Sequence, residues 1–319
     1  VVNGAVDILD LNRGEATKAG SITAVTVHSG AAVTINSSAL ETVNLQGTFT
    51  TVDAGTLGVL TTAAISSLQF NTNGVVTTGA VTVDTDVKTI NIDNSTAAST
   101  IADLVATGAT AINVTGDKKL TVTTGTLNAA LVIDASTASD GVEFTAALGT
   151  GVTFTGGDGA DTIKLTAGGT KAITTGKGDD VVTYGGALSA AAGAVGSMDA
   201  GDGNDTIVMN TAQTQAADAD AVFNSTFTNF EKLTITDAAA NTIDMAGLGN
   251  ITDITLQAGG ANVGTSIINN IATGATVTHT GNGTGVVLNV RDAAFDAGNS
   301  INLTLTKTGV LAAGQITTA

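Results

Sequence analysis

Short bursts of alternating β-branched and polar residues recur along this chain about every twenty residues, and that rhythm restricts the fold more than any other feature. From Ser21 onward the bursts are Val25-Thr26-Val27, Val43-Asn44-Leu45, Leu68-Gln69-Phe70, Ile90-Asn91-Ile92 and Ile112-Asn113-Val114, with steps of 18, 25, 22 and 22 residues between their first apolar positions. Alternation with period two marks a strand whose two apolar residues face inward. A recurring step of this length marks a solenoid, in which each repeat stacks on the last. The pattern resumes at Leu233-Thr234-Ile235, Ile254-Thr255-Leu256, Val287-Leu288-Asn289-Val290 and Leu303-Thr304-Leu305. Two bursts are introduced by similar words, Leu40-Glu41-Thr42 and Phe230-Glu231-Lys232. Copying of one ancestral coil and convergence on a common strand start both explain that similarity.

Composition fits stacked coils. Aromatics are only 3% of the 319 residues, and there is no Pro, Cys or Trp, so burial falls to Val, Ile, Leu, Ala and Thr. Small β-branched side chains pack well on a pleated surface. Eleven Lys plus Arg against twenty-eight Asp plus Glu give a formal charge of −17. That field repels phosphate backbones and makes nucleic acid a poor partner. Solubility alone would account for acidity; the placing of acids beside glycine is what favours cations. Absence of Cys rules out disulfides and Cys-based zinc sites and fits export without oxidative folding, where calcium is a common staple. The opening Val1-Val2-Asn3-Gly4 shows no initiator Met or basic leader, and no apolar run reaches transmembrane length, so the chain reads as an interior excerpt of a longer protein.

Helical signal is weak; residues 99–105 and 213–223 could each form a turn or two. The expected class is therefore all-β, a right-handed parallel β-solenoid of the β-helix or calcium β-roll type. The expected organisation is a lead-in segment 1–20, solenoid coils 21–150, a calcium β-roll 151–210, an irregular loop or short helix 211–229 that forms a bend or insertion, and further coils 230–319.

The chemistry concentrates between residues 156 and 208. Gly156-Gly157-Asp158-Gly159-Ala160-Asp161-Thr162-Ile163-Lys164 satisfies every fixed position of the nonapeptide GGxGxDxUx, a calcium-binding β-helix signature. Thr175-Gly176-Lys177-Gly178-Asp179-Asp180-Val181-Val182-Thr183 and Ala200-Gly201-Asp202-Gly203-Asn204-Asp205-Thr206-Ile207-Val208 repeat it, departing only at the first Gly. Glycines permit positive φ and turn carbonyls inward, while the Asp at the sixth position adds a charged oxygen; calcium takes six to eight oxygens. One turn cannot supply so many, so each ion is expected between turns stacked on one edge, with about two ions in this roll. Asp161, Asp180 and Asp205 are the principal expected ligands. Asp158, Asp179, Asp202 and Asn204 are second-rank, and simple solvation explains them equally well. The opposite edge, Ala167-Gly168-Gly169-Thr170, lacks an Asp and reads as an ordinary turn, and the extra length between the second and third copies falls in the Gly/Ala/Ser run 185–197. Asp84, Asp86, Asp93, Asp199, Asp237, Asp244, Asp292 and Asp296 could complete further cation sites at coil corners, but singly they read as solvated turn residues. His28, His279, Tyr184, Arg13 and Arg291 are scattered and show no catalytic context.

The three nonapeptides resemble the RTX family, repeat proteins exported from Gram-negative bacteria by type I secretion that fold outside the cell on meeting calcium. The residues 37–45 (Ser-Ser-Ala-Leu-Glu-Thr-Val-Asn-Leu), 99–106 (Ser-Thr-Ile-Ala-Asp-Leu-Val-Ala) and 151–155 (Gly-Val-Thr-Phe-Thr) look like Caulobacter-type surface-layer proteins, in the same order; the likeness runs over residues 3–210. The resemblance implies a non-enzymatic S-layer segment at the outer surface of a Gram-negative cell, self-associated into a two-dimensional lattice through calcium and anchored through a region outside this chain. An RTX adhesin or biofilm-matrix solenoid that binds another surface or a glycan shares these features. A third reading is the non-catalytic RTX tail of a secreted enzyme or toxin.

Overall fold

The computed structural model describes residues 4–10, 20–55, 65–166, 171–185, 196–237, 242–248, 250–257, 265–280, 285–290, 300–305 and 316–318. The chain divides into two compact units, Val1–Lys164 with Lys171–Gly178, and Leu165–Thr170 with Asp179–Ala319. The fold is a right-handed parallel β-solenoid with few helices, as the periodicity predicts. Among the described residues no helix is long and apolar enough to cross a membrane.

In the first unit each coil contributes strand segments to two walls. The long strands Ala24–Asn36 and Thr42–Gly55 bend midway, at Ser29 (φ 59°) and Gly47 (φ 88°), and so serve both walls. A Cβ on Gly47 would lie 2.3 Å from the Ser29 hydroxyl, so this corner closes only over glycine. One wall continues in parallel through Ser67–Thr77, Thr89–Asp93, Ala111–Gly116, Val132–Ala138, Thr153–Thr155 and Ile173–Thr174. The other runs through Ala80–Val83, Ser99–Ala106, Leu120–Leu127 and Val142–Leu148.

Parallel in-register pairing places like side chains in columns. Leu68, Ile90, Ile112, Ile133, Phe154 and Ile173 form one inward column, each at most 2% exposed. The polar residue between each inward pair faces out and bonds along the stack: Asn71 Nδ2 donates to Asn44 Oδ1 at 2.7 Å, and Asn113 Nδ2 to Asn91 Oδ1 at 2.8 Å. Such side-chain rungs add to the backbone ladder.

The chain departs from its sequence pattern at three places. Residues 99–105 are strand, because Ile101 and Leu104 enter the core while Asp103 pairs with Ala80 on the adjacent coil. Val43 stacks on Phe70 and not on Leu68, so the step between those coils is two residues longer than the first-apolar count gives. Residues 6–9, assigned to the lead-in segment, already pair in parallel with Val33–Asn36.

In the second unit one sheet stacks Val182, Ile207, Leu233, Ile254, Val277 and Leu303. A second sheet orders Thr242–Asp244, Thr265–Ile271, Gly285–Val290 and Ile316–Thr318. Val287 belongs to that second sheet; the residue that follows Ile254 in its column is Val277. The break expected near 211–229 contains helices Thr211–Ala219 and Ala221–Thr226, followed by Phe227–Thr228, which pairs with Met198–Asp199. The first helix starts at a capping box: Asn210 accepts from the Gln213 N–H, and the Gln213 side chain accepts from the Asn210 N–H. After the second helix, Phe227 and Phe230 stack with centroids 4.4 Å apart.

Candidate metal centre

The nonapeptides sort into buried and exposed acids by position. Asp161, Asp180 and Asp205, at the sixth position of each copy, are 0% exposed, while Asp158, Asp179, Asp202 and Asn204 face solvent. The burial follows from alternation: each sixth-position Asp stands two residues before an inward Ile or Val and therefore shares its side of the strand.

In the first unit Asp161 braces the turn of the preceding coil. Its Oδ1 accepts from the Val142 N–H at 2.6 Å, and its Oδ2 from the Gly157 N–H at 3.2 Å. Together they tie the carboxylate to its own turn and to the strand of the preceding coil. Space around it exists because the first copy is glycine: a Cβ on Gly156 would meet Asp161 Oδ2 and the Thr175 carbonyl, both at 2.0 Å, and one on Gly157 would meet the Ala138 carbonyl at 2.0 Å. A Cβ on Gly159 would lie 2.2 Å from the Gly141 nitrogen. Positive φ is needed at Gly176 (104°), Gly178 (116°) and Gly201 (89°), but not in the first copy, whose glycines serve close approach alone. The Gly157 carbonyl accepts from the Lys177 N–H at 2.8 Å, tying one turn to the next. Lys177 and Asp158 form an exposed ion pair at 3.0 Å, which adds little stability.

In the second unit the same bracing recurs and extends by a residue outside the motif. Asp205 Oδ1 accepts from the Asp180 N–H at 2.7 Å, and the Asp205 N–H donates to Glu231 Oε2 at 2.9 Å. Glu231 thus occupies the next rung. Its sequence signal was present, since Glu231-Lys232-Leu233 keeps the spacing of Asp205-Thr206-Ile207, an acid two residues before an inward apolar residue. On the exposed side, Asp179 Oδ1 accepts from the Asn204 N–H at 3.0 Å.

Asp205 differs from Asp161 in having one oxygen unsatisfied. Its Oδ2 is buried with no hydrogen-bond partner among the described residues. Burial, and after it the negative charges of Asp180, Glu231 and Asp179, push its carboxyl up to about 6, against the lowering effect of the Asp180 N–H. The ammonium of Lys232 bonds the Asn204 carbonyl at 3.3 Å. A desolvated carboxyl with a spare oxygen among like charges suits an oxygen-ligated divalent cation. Among the described residues, however, no group of three or more His, Cys, Asp or Glu side chains converges as a metal-binding cluster.

Most of the single acids cap their own turns, and Asp237 instead reaches the first N–H of the helix Thr211–Ala219. Asp84 accepts from the Asp86 N–H at 2.9 Å, Asp93 from the Ser95 hydroxyl, and Asp199 from the Gly201 N–H at 3.1 Å. Asp237 accepts from the Thr211 N–H at 2.5 Å, and Asp244 from the Ala246 N–H at 2.9 Å. His28 is exposed, and His279 and Tyr184 are buried in the second unit. Burial raises the Tyr184 hydroxyl to about 12, so it stays protonated at neutral pH. The Asp-free turn 167–170, most of the Gly/Ala/Ser run, and Asp292, Asp296, Arg13 and Arg291 lie outside the described residues.

No protein-family model matches the chain, and no curated protein matches it.

Proposed function

We propose that this chain is a calcium-stapled structural segment of a secreted S-layer protein, folded outside a Gram-negative cell and assembled with copies of itself into a two-dimensional coat. The observation that carries the calcium step is Asp205, fully buried, with Oδ2 unpartnered and with Asp180, Glu231 and Asp179 as its charged neighbours. Calcium there would supply the missing positive charge. Asp180 and Asp205 would offer carboxylate oxygens, and carbonyls of the glycine turns would complete the shell, since no three acidic side chains converge among the described residues. In the first unit Asp161, buried at the same motif position, would be the corresponding carboxylate. Held this way, the ion makes the closed turn more stable than the open chain, which couples binding to folding.

The coat itself is the resemblance's contribution, and the stacked parallel coils supply a suitably rigid element for it. The reading gives the chain no catalytic role. An adhesin or biofilm-matrix solenoid remains the second reading, favoured by a polar groove on the first unit lined by His28, Gln46 and Asn73. The test titrates calcium into chelated protein by calorimetry, with circular dichroism alongside, and then images the calcium-loaded protein by electron microscopy. Saturable binding with gain of β signal and ordered two-dimensional arrays is expected. Binding without arrays transfers the reading to the adhesin class, and no binding overturns the calcium step.

A further inference from the structure

On the outer wall of the first unit, His28, Gln46 and Asn73 stand on three successive coils in direct register, His28 opposite Gln46 and Gln46 opposite Asn73. Parallel strands set them about 4.8 Å apart. The row beside them is closed on itself: Asn44 Nδ2 donates to Thr26 Oγ1 at 3.1 Å, and Asn71 Nδ2 to Asn44 Oδ1 at 2.7 Å. The His28, Gln46 and Asn73 side chains make no hydrogen bond or ion pair among the described residues. They line a groove of about 200 Å³, whose rim carries Ser95, Thr96 and one carboxylate, Asp93.

We propose that this groove binds a neutral saccharide chain running along the row of coils. Carboxamides present a donor and an acceptor side by side, which matches a sugar hydroxyl that must both give and receive. Two carboxamides and the His28 imidazole in a straight row suit a linear polymer of hydroxyl-bearing rings better than an isolated small molecule. No Lys or Arg lines the groove, and the chain carries a formal charge of −17, so phosphorylated or acidic glycans are disfavoured. No Phe, Tyr or Trp lines it either, so binding is weak for each ring and gains strength with chain length. The inference is independent of calcium binding and of lattice formation.

The test uses the whole chain, isotope-labelled, with three neutral hexasaccharides: a β-1,4-glucan, an α-1,4-glucan and a mannan oligomer. At least one should move the side-chain amide resonances of Gln46 and Asn73 saturably at millimolar concentration. The double variant Gln46→Ala with Asn73→Ala should weaken that binding at least tenfold while Thr121→Ala, on the other wall, leaves it unchanged. Should the double variant fold poorly, Gln46→Glu, which keeps the shape but removes the donor, should weaken binding in the same direction. No saturable shift with any of the three, or equal binding by the double variant and the parent, overturns the proposal.

Discussion

Asp205 shows how one buried carboxyl ties stability to pH. Its folded value of about 6 lies above the ordinary 3.8, so the folded state holds this proton more tightly than the unfolded chain does. The resulting stability is complete below about pH 4 and is lost as pH rises through about 6. Chelated protein should therefore lose on the order of 1–3 kcal/mol between about pH 4 and pH 7 from this group. Urea melts of chelated protein at several pH values would show it, and Asp205→Asn should flatten the profile and stabilise the chelated protein near neutrality. With calcium present the same variant should be the less stable of the two, because it gives up a charged ligand. An Asp205→Asn protein that melts like the parent in both conditions would remove Asp205 from any metal role. Asp161 offers the internal contrast, since both of its oxygens already accept backbone N–H bonds.

At the scale of elements, glycine has two separate uses, and they can be told apart. Gly176 has φ 104°, and a Cβ there would lie 2.3 Å from the Gly157 carbonyl oxygen; Gly274 has φ 80° with nothing within 4 Å of the added Cβ. Gly274→Ala should cost about 1 kcal/mol from backbone strain alone. Gly176→Ala adds the displacement of a neighbouring turn and should cost more than 2 kcal/mol, on the order expected of backbone overpacking. Equal costs in thermal melts would show that close stacking of turns contributes little. The polar rungs are a milder case: Asn91→Ala gives up the bond accepted from Asn113 and the longer one donated to Ser67 and should lose about 1–2 kcal/mol. The same elements show what the sequence makes legible. Alternation reveals the strands and which side of each is buried, because both follow from local pattern. Register does not, because Leu68 and Phe70 both point inward and only the length of the corner before them decides which stacks on Val43. Residues 99–106 read as weakly helical for a related reason: two outward residues, Ala102 and Asp103, separate Ile101 from Leu104 and break the strict alternation. The motif carboxylates were legible through their glycines, whereas Glu231 lacks flanking glycine and emerges only as the rung above Asp205.

For the whole molecule, general repulsion and specific sites must be separated, since a chain of formal charge −17 gains something from any salt. Monovalent salt screens exposed charges over a Debye length of about 8 Å at 0.15 M but reaches buried carboxylates far less. Sodium chloride should therefore raise the melting temperature of the chelated protein only slightly and without saturation. Calcium at millimolar concentration should raise it further, with a stabilisation that grows as the logarithm of its concentration and reaches about 2.7 kcal/mol for each site at a hundred times the dissociation constant. Magnesium should fall between them, because its small, rigid octahedral shell fits poorly among carbonyls fixed by glycine turns. Differential scanning calorimetry at matched ionic strength separates the three. If sodium chloride at equal ionic strength reproduces the calcium shift, the acids act only as a diffuse charge. If calcium alone shifts the transition, and Asp205→Asn reduces the shift, the gain belongs to the buried carboxylates of the glycine turns.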